Sequence, residues 1–158
     1  MNIEQKFELN HFFVDTFNKV MSYEEQCLTT NEFHNLSVKE FHAIEAVAEK
    51  IKTKQNTMSN IATYLSISVG ALTTTMNVLV NKGYVLRRGS TTDRRIIYIH
   101  LSPSGKKALE HHRQFHAEMI DTTAKLLDDE EITVLINSLK KLSLYFHDKL
   151  NESKKTEV

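Results

Sequence analysis

Apolar positions in the first part of the chain recur every three or four residues: Phe7, Leu9, Phe12, Phe13, Phe17, Val20, Met21 and Leu28. That spacing predicts a long amphipathic helix over residues 4–29, with a phenylalanine-rich stripe longer than one small domain needs. A polar connector, residues 31–36, separates it from Ser37, which opens an S-x-x-E capping box with Glu40 and a second helix over residues 38–49. After a basic loop, residues 50–56, Thr57 is the next N-cap, for a short helix over residues 58–65 with Ile61, Ala62 and Leu65 inward. Ser68 then caps a helix over residues 69–81, stopped by Gly83, whose Val69, Leu72, Met76, Leu79 and Val80 share one face.

Beyond Gly83 the period changes. Residues 84–88 and 95–101 have β-type composition, IIYIHL alternates as a half-buried strand does, and the polar segment 89–94 is a turn. Ser102-Pro103 is an N-cap followed by proline at the first helical position, opening a long helix over residues 103–127. Asp128, Asp129, Glu130 and Glu131 place negative charge at the start of a last helix with Ile132, Leu135, Ile136, Leu139, Leu142, Tyr145, Phe146 and Leu150 on its apolar stripe. The tail, residues 151–158, is expected to fray. The fold class is mainly α with a small β wing. A winged helix-turn-helix spans residues 37–102, and a helical region made of residues 1–36 and 103–150 carries the long stripes. Both long stripes exceed what one chain covers, which predicts packing against a second copy.

Charge separates the wing region from the rest. Residues 52–107 hold nine Lys and Arg against one acid, Asp93, while residues 1–51 hold four bases and nine acids and residues 108–158 seven bases and ten acids. A net charge of zero hides a basic middle, the footprint of a nucleic-acid-binding module. The exposed face of the helix over residues 69–81, with Ser66 and Ser68 just before it, offers Gly70, Thr73, Thr74 and Asn77 rather than the Lys and Glu of an ordinary surface helix. Small side chains of this kind can approach base edges in a major groove. Arg88, Arg94 and Arg95 surround the wing turn, where guanidinium groups suit the negative potential of a minor groove. Asp93 is expected to hold the turn in one shape by pairing with an arginine.

No nucleophile elbow, phosphate-binding glycine loop or metallohydrolase motif is present, and four glycines leave little for a nucleotide cradle. A binding protein is predicted rather than an enzyme. The rival class is a protein-docking module on the same fold, which would need neither Arg94-Arg95 nor the hydroxyl-rich helix face. No apolar run reaches the ~20 residues of a membrane span. A single cysteine and an N-terminus without a signal peptide predict a cytoplasmic protein.

The Asp93-Arg94-Arg95 run, the alternating strand to Leu101 and the following SPSGKKAL are similar to the D-x-R, strand, L-T-x-x-G pattern of the MarR family of bacterial transcriptional regulators, with Ser102 in place of threonine. The resemblance covers nearly the whole chain. It implies a homodimer whose N- and C-terminal helices interlock, placing two winged domains in successive major grooves of a palindromic operator in double-stranded DNA. Within that family, LSVKEFHAIEAV, VGALTTTMNVLVNKGYV, STTDRRIIYIHLS and RQFHAEM resemble repressors of fatty-acid biosynthesis genes in Gram-positive bacteria. This implies long-chain acyl-acyl carrier protein as co-regulator, with the acyl chain in a tunnel lined by Phe13, Phe17, Val20, Met21, Phe41, Phe115 and Met119.

Two other ligand chemistries stay open. His112 and His116 stand one turn apart, and with Glu24, Cys27 and His42 they form an inventory that can hold zinc, as in the zinc-responsive branch of the family. The reading that needs no ligand makes them structural histidines and no cofactor is expected. Cys27 alone could instead sense oxidants. If the wing grips DNA, Arg95→Ala should weaken operator binding by roughly 1–3 kcal/mol and flatten its salt dependence, as read by fluorescence anisotropy across a salt series. An unchanged affinity with an intact fold removes Arg95 from the interface.

Overall fold

The computed structural model describes residues 1–29, 31–91, 93 and 95–156. These form two units, Met1–Phe115 and a second beginning at His116. The first unit holds α1 (Ile3–Leu28), a 3-10 turn (Asn31–Phe33), α2 (Val38–Lys52), α3 (Met58–Tyr64), α4 (Val69–Asn81), β1 (Val85–Gly89) and β2 (Ile97–Leu101). Helix α5 (Pro103–Ala124) starts in the first unit and ends in the second, which also contains α6 (Asp129–Thr156). The fold class is the one the sequence pattern predicts, helices with a single two-stranded wing. No single described helix is long and apolar enough to cross a membrane.

The helix starts lie at the predicted caps. Ser37 Oγ accepts from the Glu40 amide while the Glu40 carboxylate accepts from the Ser37 amide at 2.7 Å. Thr57, Ser68 and Ser102 accept from the amides of Asn60, Ala71 and Gly105 in the same way. The core of the first unit consists of Leu28, Leu36, Phe41, Ile44, Val47, Ile61, Leu72, Met76, Leu79, Val85 and Ile99. Val69, expected inward, is 46% exposed: it is the first residue of α4, and the buried positions of that helix, Leu72, Met76 and Leu79, begin one turn later. Val80 and Leu65 are half-buried.

The wing pairs β1 and β2 antiparallel, with Val85 opposite Leu101 and Gly89 opposite Ile97. Its second strand starts at Ile97 rather than residue 95, since the Ile96 amide donates to the Asp93 carbonyl and closes a turn there. Asn56 joins the far edge of β2: its carbonyl accepts from the Ile99 amide at 2.8 Å, and its side-chain amide donates to the Ile99 carbonyl at 2.7 Å. The short loop is thereby sewn to the wing.

Helix α2 outlasts its expected end by three residues, reaching Lys52, and α5 stops three residues early, at Ala124. The last helix continues through Thr156 instead of fraying after residue 150. An i,i+3 pair between Lys149 and Glu152 at 2.8 Å supports that extra turn.

Two glycines are tied to geometry. Gly83 has φ +79°, the left-handed conformation that ends α4. A Cβ on Gly105 would stand 2.1 Å from the Tyr84 carbonyl oxygen, so α5 can approach the start of the wing only with glycine there. Alanine inside a helix normally stabilises relative to glycine. Here Gly105→Ala should destabilise by roughly 1–3 kcal/mol through overpacking, read by urea unfolding; a stabilised variant would refute the close approach.

Candidate nucleic-acid interface and ligand-side cluster

The exposed face of α4 presents Gly70, Thr74 and Asn77, with Thr73 half-buried beside them. Thr73, Thr74 and Thr75 each donate the hydroxyl proton back to the carbonyl four residues earlier, at 2.7, 3.4 and 3.4 Å. Their oxygens remain acceptors, so the face offers methyls and acceptors rather than donors. Ser68 is occupied as N-cap, while Ser66, exposed and at φ +57°, forms the sharp turn between α3 and α4.

Asn77 is held by a residue that periodicity did not single out. Arg87 on β1 donates through Nη2 to Asn77 Oδ1 at 2.7 Å, fixing the amide orientation and joining wing to helix face. Only a strand-to-helix contact reveals that role. Asp93 accepts from the Arg95 amide at 2.9 Å and its own amide donates to Ser90 Oγ at 3.2 Å, so it shapes the turn mainly through backbone bonds. The Arg95 guanidinium lies 3.8 Å from Asp93, but at 95% exposure that pair is worth at most about 1 kcal/mol. Arg88 is exposed on β1; Arg94 lies outside the described residues.

The far end of α4 is anchored internally. Lys82 Nζ donates to both carboxylate oxygens of Glu40, at 2.8 and 2.9 Å, and to the Asn35 carbonyl. Tyr84 donates its hydroxyl to Asn35 Oδ1 at 2.9 Å. Glu40 is 7% exposed while the Lys82 side chain keeps 29% of its surface in solvent, so the pair is part-buried.

Two residues further along α2 begins a second polar cluster. His42 Nε2 lies 2.9 Å and His112 Nε2 3.4 Å from Glu24 Oε1, and His112 Nδ1 is 3.6 Å from Glu45. Glu24 is 4% and His112 1% exposed, and the Phe41 ring stacks on His112 with centroids 5.7 Å apart. A buried carboxylate between two imidazoles needs a proton or a cation to balance it. The donor atoms of Glu24, His42 and His112 lie within 4.8 Å of one another, close enough for one metal ion. His116 is half-buried one turn along α5. Cys27 does not join the donor group: Glu24 and Leu28 are the buried positions of α1, and Cys27 is turned partly aside.

The residues expected to line an acyl tunnel divide. Phe41 and Phe115 are core, the latter 5.5 Å from the Tyr23 ring. Phe13 stacks on Phe17 at 5.9 Å, and Phe17, Val20 and Met21 are exposed, since α1 is buried only near its end. Met119 is half-buried in the second unit.

Comparison with known proteins follows this geometry. A family model described as transcriptional regulator SarA/Rot matches residues 28–112. The uncharacterised HTH-type transcriptional regulator YpoP of Bacillus subtilis is 30% identical over 114 residues, covering 71% of this chain and 81% of that protein. The HTH-type transcriptional regulator MhqR of the same organism is 27% identical over 119 residues, covering 73% and 80%. Among solved structures, Streptococcus pneumoniae FabT in complex with DNA superposes with a TM-score of 0.83 at 30% identity, over 90% of this chain and 98% of that one. An S. aureus MepR–DNA complex shares the fold, with a TM-score of 0.74 at 20% identity over 86% and 96%.

Lys82→Ala strands the buried Glu40 carboxylate and should cost roughly 1–3 kcal/mol in urea unfolding. The double variant Glu40→Gln/Lys82→Met should recover part of that loss, because an apolar pair needs no charge compensation. Additive losses would show that the two residues act separately.

Proposed function

Since the chain belongs to the SarA/Rot family of MarR-like winged-helix transcriptional regulators, we propose that it is a homodimeric repressor of fatty-acid biosynthesis genes that answers to long-chain acyl-acyl carrier protein. The observation that carries this reading is the likeness to FabT bound to DNA, at 30% identity over 90% of the chain. The threonine-rich face of α4 with Asn77 enters a major groove, and the wing residues Arg94 and Arg95 flank it in the minor groove, whereas Arg88, expected there from sequence, alternates with Arg87 to the face of the ribbon turned from α4. The protein acts in the cytoplasm, on a palindromic operator. Two copies presenting α4 one helical turn apart, ~34 Å, match such a site.

The dimer is supported by what one chain leaves uncovered. Phe7, Phe12 and Phe17 on α1 are 74, 63 and 60% exposed, and on α6 Leu139 and Tyr145 are 54 and 55% exposed. Apolar surface on this scale marks an association face. The same α1 face, closed by a second copy, would supply the wall that the acyl site lacks in one chain.

The cluster of Glu24, His42 and His112 favours a second reading, a zinc-responsive repressor. Carboxylate and imidazole are ligands zinc accepts. Zinc there would tie α1, α2 and α5 together at their buried junction.

Native mass spectrometry of the purified protein tests both, with and without a chelator and with long-chain acyl-acyl carrier protein added. A dimer that takes up the acyl protein stoichiometrically and carries no metal is the expected result. Zinc released by the chelator would replace the lipid reading with the metal one, and a monomer would overturn the dimer.

A further inference from the structure

A cleft of about 460 Å³ opens where the end of α2, the wing and the start of α5 meet. Lys52, Arg88, Lys106 and Arg113 surround it together with His100, and its apolar walls are Ala48, Ile51, Leu101 and Leu109. It shares no residue with the Glu24 cluster. We propose that this cleft binds a small anionic amphiphile, a phosphate or carboxylate head on a short alkyl body.

Four cations converge on it, and acid compensates only part of that charge. Glu49 engages Lys52 at 2.6 Å and Arg113 at 3.2 Å; the hydrogen bond from Lys52 first, and Arg113 further, hold its carboxyl below the usual range. Arg88 and Lys106 have no acidic partner among the described ion pairs. The His100 imidazole is held below its ordinary value by burial first and by the Arg88 guanidinium second, so the positive field of the wing reaches into the cleft. Like charges gathered beside a low-dielectric wall repel one another, and an anion relieves that repulsion. Inorganic phosphate alone would leave the apolar walls wet. A volume within the range of small-molecule sites, roughly 300–1,000 Å³, has room for an alkyl body against Ile51, Leu101 and Leu109.

Strand alternation separates the cleft from the DNA-facing surface. On β1, Arg87 reaches Asn77 of α4, so Arg88 next to it projects from the opposite face of the ribbon. There it joins His100 of β2 and Lys106 of α5. A cradle for the DNA backbone would be expected on the α4 side.

Isothermal titration calorimetry of the full chain tests the proposal with octyl phosphate, octanoate, inorganic phosphate and octanol. Octyl phosphate or octanoate should bind saturably, one per chain, at least tenfold tighter than either inorganic phosphate or octanol. Whichever of the two binds more tightly identifies the head group. Lys106→Glu should weaken binding at least tenfold with unchanged circular dichroism, since a carboxylate in the first turn of α5 suits the helix dipole. Arg113→Gln provides a second test at the other side of the cleft. Equal affinity for inorganic and octyl phosphate overturns the proposal, as does a Lys106→Glu protein that binds normally. Loss of operator affinity in Lys106→Glu without any octyl phosphate binding by the native chain would assign these cations to the DNA backbone instead.

Discussion

The direction in which α4 points depends on one part-buried ion pair. Lys82 caps the helix and places its ammonium between both oxygens of Glu40 and the Asn35 carbonyl, with Tyr84 reaching the same asparagine. Glu40 is simultaneously the reciprocal half of the Ser37 capping box, so one carboxylate starts α2 and anchors the end of α4. A charge pair with its carboxylate buried adds little net stability, but the carboxylate has to keep its partner, which restricts the geometry. Orientation is what a groove-reading helix needs most. The wing is fixed from the same place: Ser102 Oγ donates to the Gly83 carbonyl at 2.6 Å, and Gly105 lets α5 close on Tyr84. Helix, wing and α5 therefore meet within three residues of the Gly83 turn.

Local chemistry made most elements legible from sequence. Ser37, Thr57, Ser68 and Ser102 are caps because a short hydroxyl followed by amides without partners works within one turn, needing no tertiary partner. Strand period and the glycine stop of α4 are equally local. The parts that could not be read are contacts over long sequence separation. Nothing in the spacing tells that Lys82 meets Glu40, 42 positions away, or that Arg87 holds Asn77. Gly105 looks like an ordinary weak spot in a helix until Tyr84 is placed against it.

Periodicity also misleads where a stripe is amphipathic but its cover is absent from the chain. Val69 shares the helical face of Leu72 and Met76 yet stands 46% exposed, since burial needs a neighbour at that height as well as the right phase. The phenylalanines of α1 show the same thing on a larger scale. Their pattern is that of a core, and their surroundings within one chain are those of a surface. Glu24, His42 and His112 stand one on each of three helices, α1, α2 and α5, and their donor atoms lie within 4.8 Å of one another, a convergence that depends on how the helices pack and not on spacing along any one of them.

Helix α2 carries both the carboxylate that anchors α4 and one of the imidazoles at Glu24. Glu40 and His42 are two positions apart, about 200° around an α-helix, so α4 is anchored on one side of α2 and Glu24 on the other. Phe41 between them is fully buried and stacks on His112, leaving α2 little freedom to roll without disturbing α5. A packed junction of this kind shifts between discrete arrangements rather than deforming gradually. Its occupant can bias those arrangements only by the difference in its affinity for them. A cation held between Glu24 and the two imidazoles would add positive charge beside His42 on α2.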